Sequence, residues 1–344
     1  MKNIKDYNLD ELKQEFLELG EKPYRAEQVF KWLFVENVTS FNEMTNLSKE
    51  FRKVLEETYS LCNYNIVEKL ISVDGTKKYL FELEDSNNIE TVLMEYHHGK
   101  SVCISTQIGC KMGCKFCAST GIEFKRNLTS GEIVQQILAV QKDEDIKISN
   151  VVFMGIGEPF DNYDNVINAV RILNNQKGLN IGARHISIST SGIVPRIYDL
   201  ANENIQCTLS ISLHSTIDEK RSQMMPVNKV YNISELIKAC KCYIEKTGRR
   251  ISFEYALVKD NNDNLEDAKR LSKLLKGMIC HVNLIPINKI ENNMYTKSTN
   301  DNIIKFRDYL NSKGIVATIR RELGSDIEAA CGQLRRKNLK NRGE

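Results

Sequence analysis

Val102-Cys103-Ile104-Ser105-Thr106-Gln107, followed by Ile108-Gly109 and then Cys110-Lys111-Met112-Gly113-Cys114-Lys115-Phe116-Cys117, joins a strand to an unusual loop. Val102 to Gln107 reads as a strand. The eight residues from Cys110 carry three cysteines, two lysines and a glycine, which makes them a polar loop and not a core segment. Thr129-Ser130-Gly131-Glu132 is a capping box, and the helix it opens turns Ile133, Ile137 and Leu138 inward. Further strand-like runs stand at Asn150–Met154, His185–Ser189, Gln206–Leu213, Ile251–Leu257, Cys280–Pro286 and Gly314–Ile319. Amphipathic helices separate them. Ile233, Leu236, Ile237, Cys240 and Ile244 share one face, as do Leu265, Ala268, Leu271 and Leu275. Repeated strand–helix units specify a parallel sheet with right-handed crossovers. About seven such strands point to a partial or complete (β/α) barrel rather than a flat sheet.

Upstream the periodicity differs. Leu9, Leu12, Phe16 and Leu19 share a helical face, then Ala26, Val29, Phe30 and Leu33, then Leu47, Phe51, Val54 and Leu55. Residues 1–60 therefore read as a helical accessory unit with its own apolar seams. Ile66 to Val73 and Lys77 to Glu84 flank Asp74-Gly75, a hairpin turn signal, and Ile89 to Tyr96 follows. Residues 61–100 read as a β-extension, 101–334 as the barrel and 335–344 as a basic tail. His97-His98-Gly99 sits where a turn belongs, and a metal role for the two histidines is the weaker reading.

The composition, 41% hydrophobic and 27% charged, is that of a globular protein. No apolar run is long enough to span a bilayer and no signal-peptide pattern opens the chain, so the expected location is the cytoplasm. A net charge of +3 does not by itself demand nucleic acid. The tail, with Arg335, Arg336, Lys337, Lys340 and Arg342, reads first as a solvated strip and second as a phosphate-binding one. Ten cysteines in such a chain argue for thiol chemistry or metal binding over a disulfide scaffold.

Active sites of parallel α/β folds form at the C-terminal ends of the strands. The unusual short sequences fall there: the cysteine loop, Gly157-Glu158-Pro159, Ser189-Thr190-Ser191-Gly192, Ser212-Leu213-His214 and Asn288. Cys110, Cys114 and Cys117 supply three soft thiolates, enough for three irons of a cubane with the fourth left open. Zinc is the alternative, if Cys103 or a histidine added a fourth ligand.

Cys-x-x-x-Cys-x-x-Cys with Phe116 before the last cysteine resembles the radical S-adenosylmethionine superfamily. Ile89-Glu90-Thr91-Val92, Cys103 to Gln107, Met154 to Pro159, Ser189 to Gly192, Ser212 to His214, Asn283 to Asn288 and Gly324 to Leu334 look, in that order, like the RlmN-type adenine-C2 RNA methyltransferases. The resemblance covers nearly the whole chain. One departure is Lys289, where the family often has a proline.

The resemblance implies a partial (β/α)6-type barrel holding one [4Fe-4S] cluster on Cys110, Cys114 and Cys117. It places S-adenosylmethionine against Gly157, Glu158, Ser189, Ser212, Leu213, His214 and Asn288, with two molecules consumed per methyl transferred. It implies that Cys331 is methylated and becomes the source of the transferred carbon. Glu90 would take the proton from carbon 2, and Cys103 would attack the Cys331 sulfur to release the product. The implied substrates are adenosine 2503 of 23S ribosomal RNA and, in parts of the family, adenosine 37 of transfer RNA. The implied electron donor is one such as flavodoxin. Cfr-type enzymes share the cysteine chemistry but methylate carbon 8. A zinc-stabilised RNA-binding protein without catalysis is the reading from another class.

Overall fold

The computed structural model describes residues 1–97, 99–287, 295–330 and 332–334. His98, Asn288, Cys331 and the tail from 335, with the roles expected of them, lie outside the described residues. The main sheet contains β1 (Asn65–Ile71), β2 (Lys77–Glu82), β3 (Asn88–Tyr96), β4 (Gly99–Cys103), β5 (Asn150–Phe153), β6 (Ile186–Thr190), β7 (Thr208–Ser212), β8 (Ile251–Leu257), β9 (Cys280–Pro286) and β10 (Ala317–Ile319). Each strand pairs with its neighbours in sequence, so spatial order and chain order coincide. From β1 to β4 the pairing is antiparallel, and from β4 to β10 it is parallel. Among the described residues β10 does not return to β4, so the parallel strands form an open barrel.

Parallel neighbours need a crossover, and amphipathic helices supply it. These are α4 (Ser130–Glu144), α5 (Tyr163–Asn174), α6 (Val194–Leu200), α7 (Asp218–Met224), α8 (Ile233–Thr247), α9 (Leu265–Leu274) and α10 (Asn300–Ser312). The capping box at Thr129 forms as expected, its side chain accepting from Glu132 N and Glu132 returning to the cap. Every residue of β8 is buried, which is why this strand reads as a largely apolar run, broken by Ser252 and Glu254.

One expectation changes. The strand expected over Val102 to Gln107 begins at Gly99 and ends at Cys103. Beyond it the chain bonds to the loop after β5: Gly155 N donates to Ile104 O (3.0 Å) and Thr106 N to Ile156 O (2.9 Å). A Cβ on Gly155 would lie 2.6 Å from Ile104 O, so this approach requires glycine. Gln107–Ile108 then pairs with Arg126–Asn127, closing the cysteine-bearing segment as a loop of its own.

The amino-terminal helices are α1 (Leu9–Glu18), α2 (Pro23–Phe34) and α3 (Lys49–Thr58). Their expected faces are buried except at Leu19 and Val54, which are exposed, and Leu12, Phe16, Val29, Phe30, Leu33 and Leu55 belong to the same continuous core as the barrel helices. Lys5 joins the two regions. Its fully buried ammonium donates to Cys62 O (2.9 Å) and to Gln135 Oε1 of α4 (2.7 Å). Asp6 Oδ1 accepts from Gly131 N at the first turn of α4 (2.8 Å), where negative charge is favoured. No helix among the described residues is long and apolar enough to cross a membrane.

Candidate active site

Two adjoining cavities open at the C-terminal ends of the parallel strands, and Met154, Ile285 and Arg320 line both. The first is bordered by Cys110, Cys114 and Cys117, and across from them by Gly157, Glu158, Ser189, Ser212 and His214. The fold thus brings together residues that lie more than a hundred positions apart. Leu213 is the exception: its side chain is fully buried in the apolar core and does not border the cavity.

The cysteine loop is held by its own backbone and by its neighbours. Cys117 N donates to Cys114 O (3.1 Å), Lys115 N to Met224 O (2.9 Å) and Thr120 Oγ1 to Cys114 O (2.6 Å). Ala118 N donates to Gly332 O (2.7 Å), and Ser119 Oγ to Leu334 O (2.9 Å). The carboxy-terminal segment is therefore docked on the loop. Gly332 borders the cysteine cavity, while Ala330 borders the second cavity.

Burial pushes the Cys110 thiol up to about 11 and the Cys114 thiol well above its ordinary value. Such thiols keep their protons until a cation displaces them. Three thiols spread around a cavity suit three corners of an iron–sulfur cubane. A structural zinc site closes four ligands on one ion. The donor set fits the cluster.

Gly157 adopts φ +109°, and a Cβ there would lie 2.7 Å from Thr106 Oγ1 and from Gln107 Cβ. Only glycine permits that approach. The Glu158 carboxylate accepts from Phe160 N (3.0 Å) and from Ser191 N (2.7 Å), fastening the loop after β5 to the loop after β6. Burial raises its pKa, and these hydrogen bonds favour the charged form. Each oxygen retains acceptor capacity for a ligand ammonium group.

His214 has φ +53° and is buried. Its Nδ1 accepts from Ala256 N (2.9 Å), so the neutral ring carries its proton on Nε2; the ring meets Phe116 edge-on at 4.6 Å. Burial, with the Arg221 charge adding to it, depresses the imidazole pKa from 6.5 to about 3. Between those values the unfolded chain binds a proton that the folded chain refuses. Stability is therefore fully present above pH 6.5 and falls as the pH drops to 3, by on the order of 4 kcal/mol. Denaturant titrations across that range should show the slope, and His214→Gln should flatten it. An equal slope in both proteins would refute the assignment.

The second cavity is bordered by Cys103, Tyr96, Met154, Arg320 and Ala329. Cys103 ends β4 opposite Val92 on β3. Glu90 lies two residues from Val92 and so on the same face of the sheet. It borders neither cavity; it is buried with its Oε1 3.6 Å from Lys78 Nζ.

Four charged residues escaped the sequence reading. Glu254 borders the first cavity, accepts from Asn283 Nδ2 (2.9 Å) and lies 3.8 Å from Arg320. A carboxylate inside the apolar run of β8 was its available signal. Arg221 is fully buried behind the Ser191 and Ser212 segments, and Lys78 is buried beside Glu90. Nothing in the polar run Asp218-Glu219-Lys220-Arg221 distinguished its last member.

A loop of three thiols at the C-terminal mouth of an open parallel β/α barrel defines a radical S-adenosylmethionine enzyme, and the Radical SAM superfamily model matches residues 104–272. The class brings with it a [4Fe-4S] cluster and S-adenosylmethionine. The model of the ribosomal RNA large subunit methyltransferase N-terminal domain matches residues 2–61. The probable dual-specificity RNA methyltransferase RlmN of Clostridium novyi (strain NT) is 52% identical over 342 residues, covering 99% of this chain and all of its own. That of Clostridium perfringens (strain 13 / Type A) is 53% identical over 344 residues, covering 100% and 99%. A radical SAM methyltransferase from Sphaerobacter thermophilus superposes with a TM-score of 0.92 at 42% identity, covering 97% of this chain and 99% of that one. The chain belongs to the RlmN family of radical S-adenosylmethionine RNA methyltransferases.

Proposed function

We propose that this protein methylates carbon 2 of adenosine in RNA. Its targets are adenosine 2503 of 23S ribosomal RNA and adenosine 37 of transfer RNA, in keeping with the dual specificity named for its relatives. The observation that carries this reading is the pair of joined cavities. One is bordered by the three-cysteine loop and the other by Cys103, and the two neighbours of Cys331 in sequence, Ala330 and Gly332, border one each.

Carbon 2 lies between two ring nitrogens and is too electron-poor to attack a sulfonium methyl group. A thiolate can, so Cys331 takes the methyl first. The bound cofactor supplies, on one-electron reduction at the cluster, a carbon radical able to abstract hydrogen from that methyl group. Cys110, Cys114 and Cys117 hold the cluster, while Gly157, Glu158, Ser189, Ser212, His214 and Asn288, with the Leu213 backbone between them, hold the cofactor. Once the Cys331-borne carbon has joined carbon 2, Glu90 accepts the carbon-2 proton, and the adduct's surplus electron would return to the cluster. The Cys103 thiolate attacks the Cys331 sulfur, the sulfur–carbon bond breaks, and the released carbon takes up a proton to become the methyl group. A Cys103–Cys331 disulfide remains for a thiol reductant to reopen, while a donor such as flavodoxin would supply the electron for the cluster. The target base must leave its stack to reach so enclosed a site.

The test is anaerobic reconstitution with iron, sulfide, S-adenosylmethionine and reductant, followed by mass mapping of the methyl group on RNA. We expect about four irons per chain, methylation at carbon 2, and none with Cys331→Ala despite an intact cluster. Methylation at carbon 8 would overturn the reading, as would a colourless zinc protein.

A further inference from the structure

Glu90 shares its buried setting with a cation to which the reaction above gives no part. Lys78 lies on β2 opposite Val92, and Val92 in turn lies opposite Cys103 on β4. Side chains at paired positions share a face, so Lys78, Glu90 and Cys103 all stand on the same side of the sheet. Lys78 is 5% exposed and Glu90 3%. The Lys78 ammonium is 3.6 Å from Glu90 Oε1 and donates to Glu328 O (3.2 Å), three residues before Cys331 in the chain.

That second contact belongs to a larger clasp. The turn between β1 and β2 grips the segment that leads to Cys331: Ser72 Oγ donates to Asp326 Oδ1 (2.5 Å), Val73 N to Asp326 Oδ2 (3.2 Å), and Gly324 N to Asp74 Oδ2 (2.9 Å). Gly324 has φ +64°, and a Cβ there would meet Thr76 Cγ2 at 2.9 Å and Ala329 Cβ at 2.8 Å. The β1–β2 hairpin thus sets the course of Gly324 to Ala329, and Lys78 is the point at which that hairpin also touches Glu90.

A buried ion pair is a poor device for stability, because desolvating both charges offsets their attraction. A fixed geometry is what it does provide. We propose that Lys78 is a positioning residue for the methyl-transfer reaction: its ammonium orients the Glu90 carboxylate and ties it to the segment that carries Cys331. The proposal rests on the reading of Glu90 as proton acceptor. It assigns Lys78 a part only after the transferred carbon has joined the RNA base, since methylation of Cys331 itself needs no base at carbon 2.

The test compares Lys78→Met, Lys78→Arg, Glu90→Gln and the Lys78→Met/Glu90→Gln double variant, each reconstituted with cluster. Mass spectrometry follows methylation of Cys331, RNA methylation gives turnover, and denaturing gels show covalent protein–RNA species. Lys78→Met should slow RNA methylation by about 10- to 100-fold, accumulate the covalent species as Glu90→Gln does, and slow methylation of Cys331 far less. Lys78→Arg, which keeps the charge and the donors, should recover most of the turnover; it carries the test if Met is not tolerated. The double variant should be no slower than the slower single one.

Equal loss in Cys331 methylation, multiplied losses in the double variant, or a folded Lys78→Arg as slow as Glu90→Gln would each overturn the role of Lys78. So would a wild-type rate for Lys78→Met beside an impaired Glu90→Gln. A wild-type rate for Glu90→Gln would instead remove Glu90 from the reaction, and Lys78 with it. In the protein without RNA, Lys78→Met should also speed amide exchange across 324–330 with the rest of the barrel unaltered. Unchanged exchange there would refute the tie to that segment.

Discussion

Cys103→Ala is expected to lower RNA methylation at least about a thousandfold and to leave the protein covalently joined to its RNA. The fold should tolerate the change. Cys103 ends β4 between Val92 and Val152, in a buried apolar cluster that includes Met94, Ile156 and Ala329. Removing one sulfur from such a site is a small cavity change, of about 1 kcal/mol. The cysteine loop that would hold the cluster is a separate segment, closed by the pairing of Gln107–Ile108 with Arg126–Asn127. Cluster content and cofactor cleavage should therefore persist. On the proposed mechanism what disappears is the nucleophile that parts the Cys331 sulfur from the base, so the reaction should halt at the adduct. A denaturing gel with labelled RNA reads this directly, and normal turnover without a retarded band would end the resolving role of Cys103.

Arg221→Met should lower the unfolding free energy by about 3–5 kcal/mol. The guanidinium is fully buried, and burial pulls its pKa down to about 10, which still leaves it charged at neutral pH. Its Nε donates to Leu213 O (3.0 Å), Nη2 to Ser191 O (2.7 Å) and Ser212 O (2.9 Å), and Nη1 to Asn228 Oδ1 (2.8 Å). One side chain thus satisfies three main-chain carbonyls from two cavity-forming segments. Gly192, with φ +109°, leaves room for it, since a Cβ there would lie 3.3 Å from Nη2. Methionine fills much of the volume but donates nothing, so those carbonyls would stay buried and unmet. The denaturation midpoint should fall, and affinity for S-adenosylmethionine should fall with it, because Ser212 is an expected contact and Ser191 lies two residues beyond another, Ser189. Lys would restore the charge but not the planar fork, giving an intermediate midpoint. A wild-type midpoint for Arg221→Met would refute this account.

Much of the architecture was legible in the residues. Hydrophobic periodicity and caps are local properties, so the strand–helix alternation from Asn150 onward, the capping box at Thr129 and the hairpin around Asp74-Gly75 could be read along the chain. The strand C-termini then marked the site in advance, because parallel strands with one-handed crossovers deliver all their ends to one face. Where the reading stopped short, the deciding contact was distant. Val102 to Gln107 has strand character throughout, but Gly155 draws Ile104 to Thr106 out of the sheet.

The sequence by itself determined the parallel β/α class, the cysteine loop and the family, since each depends on spacing within short segments or on their order. Only the tertiary structure decided which charges are buried. Lys78 meets Glu90 through strand pairing, Arg221 meets Ser191 and Ser212 through the packing of α7 behind two strand ends, and Glu254 meets Arg320 across the sheet. A charged side chain is exposed unless something far along the chain compensates it, and that compensation is a property of the fold.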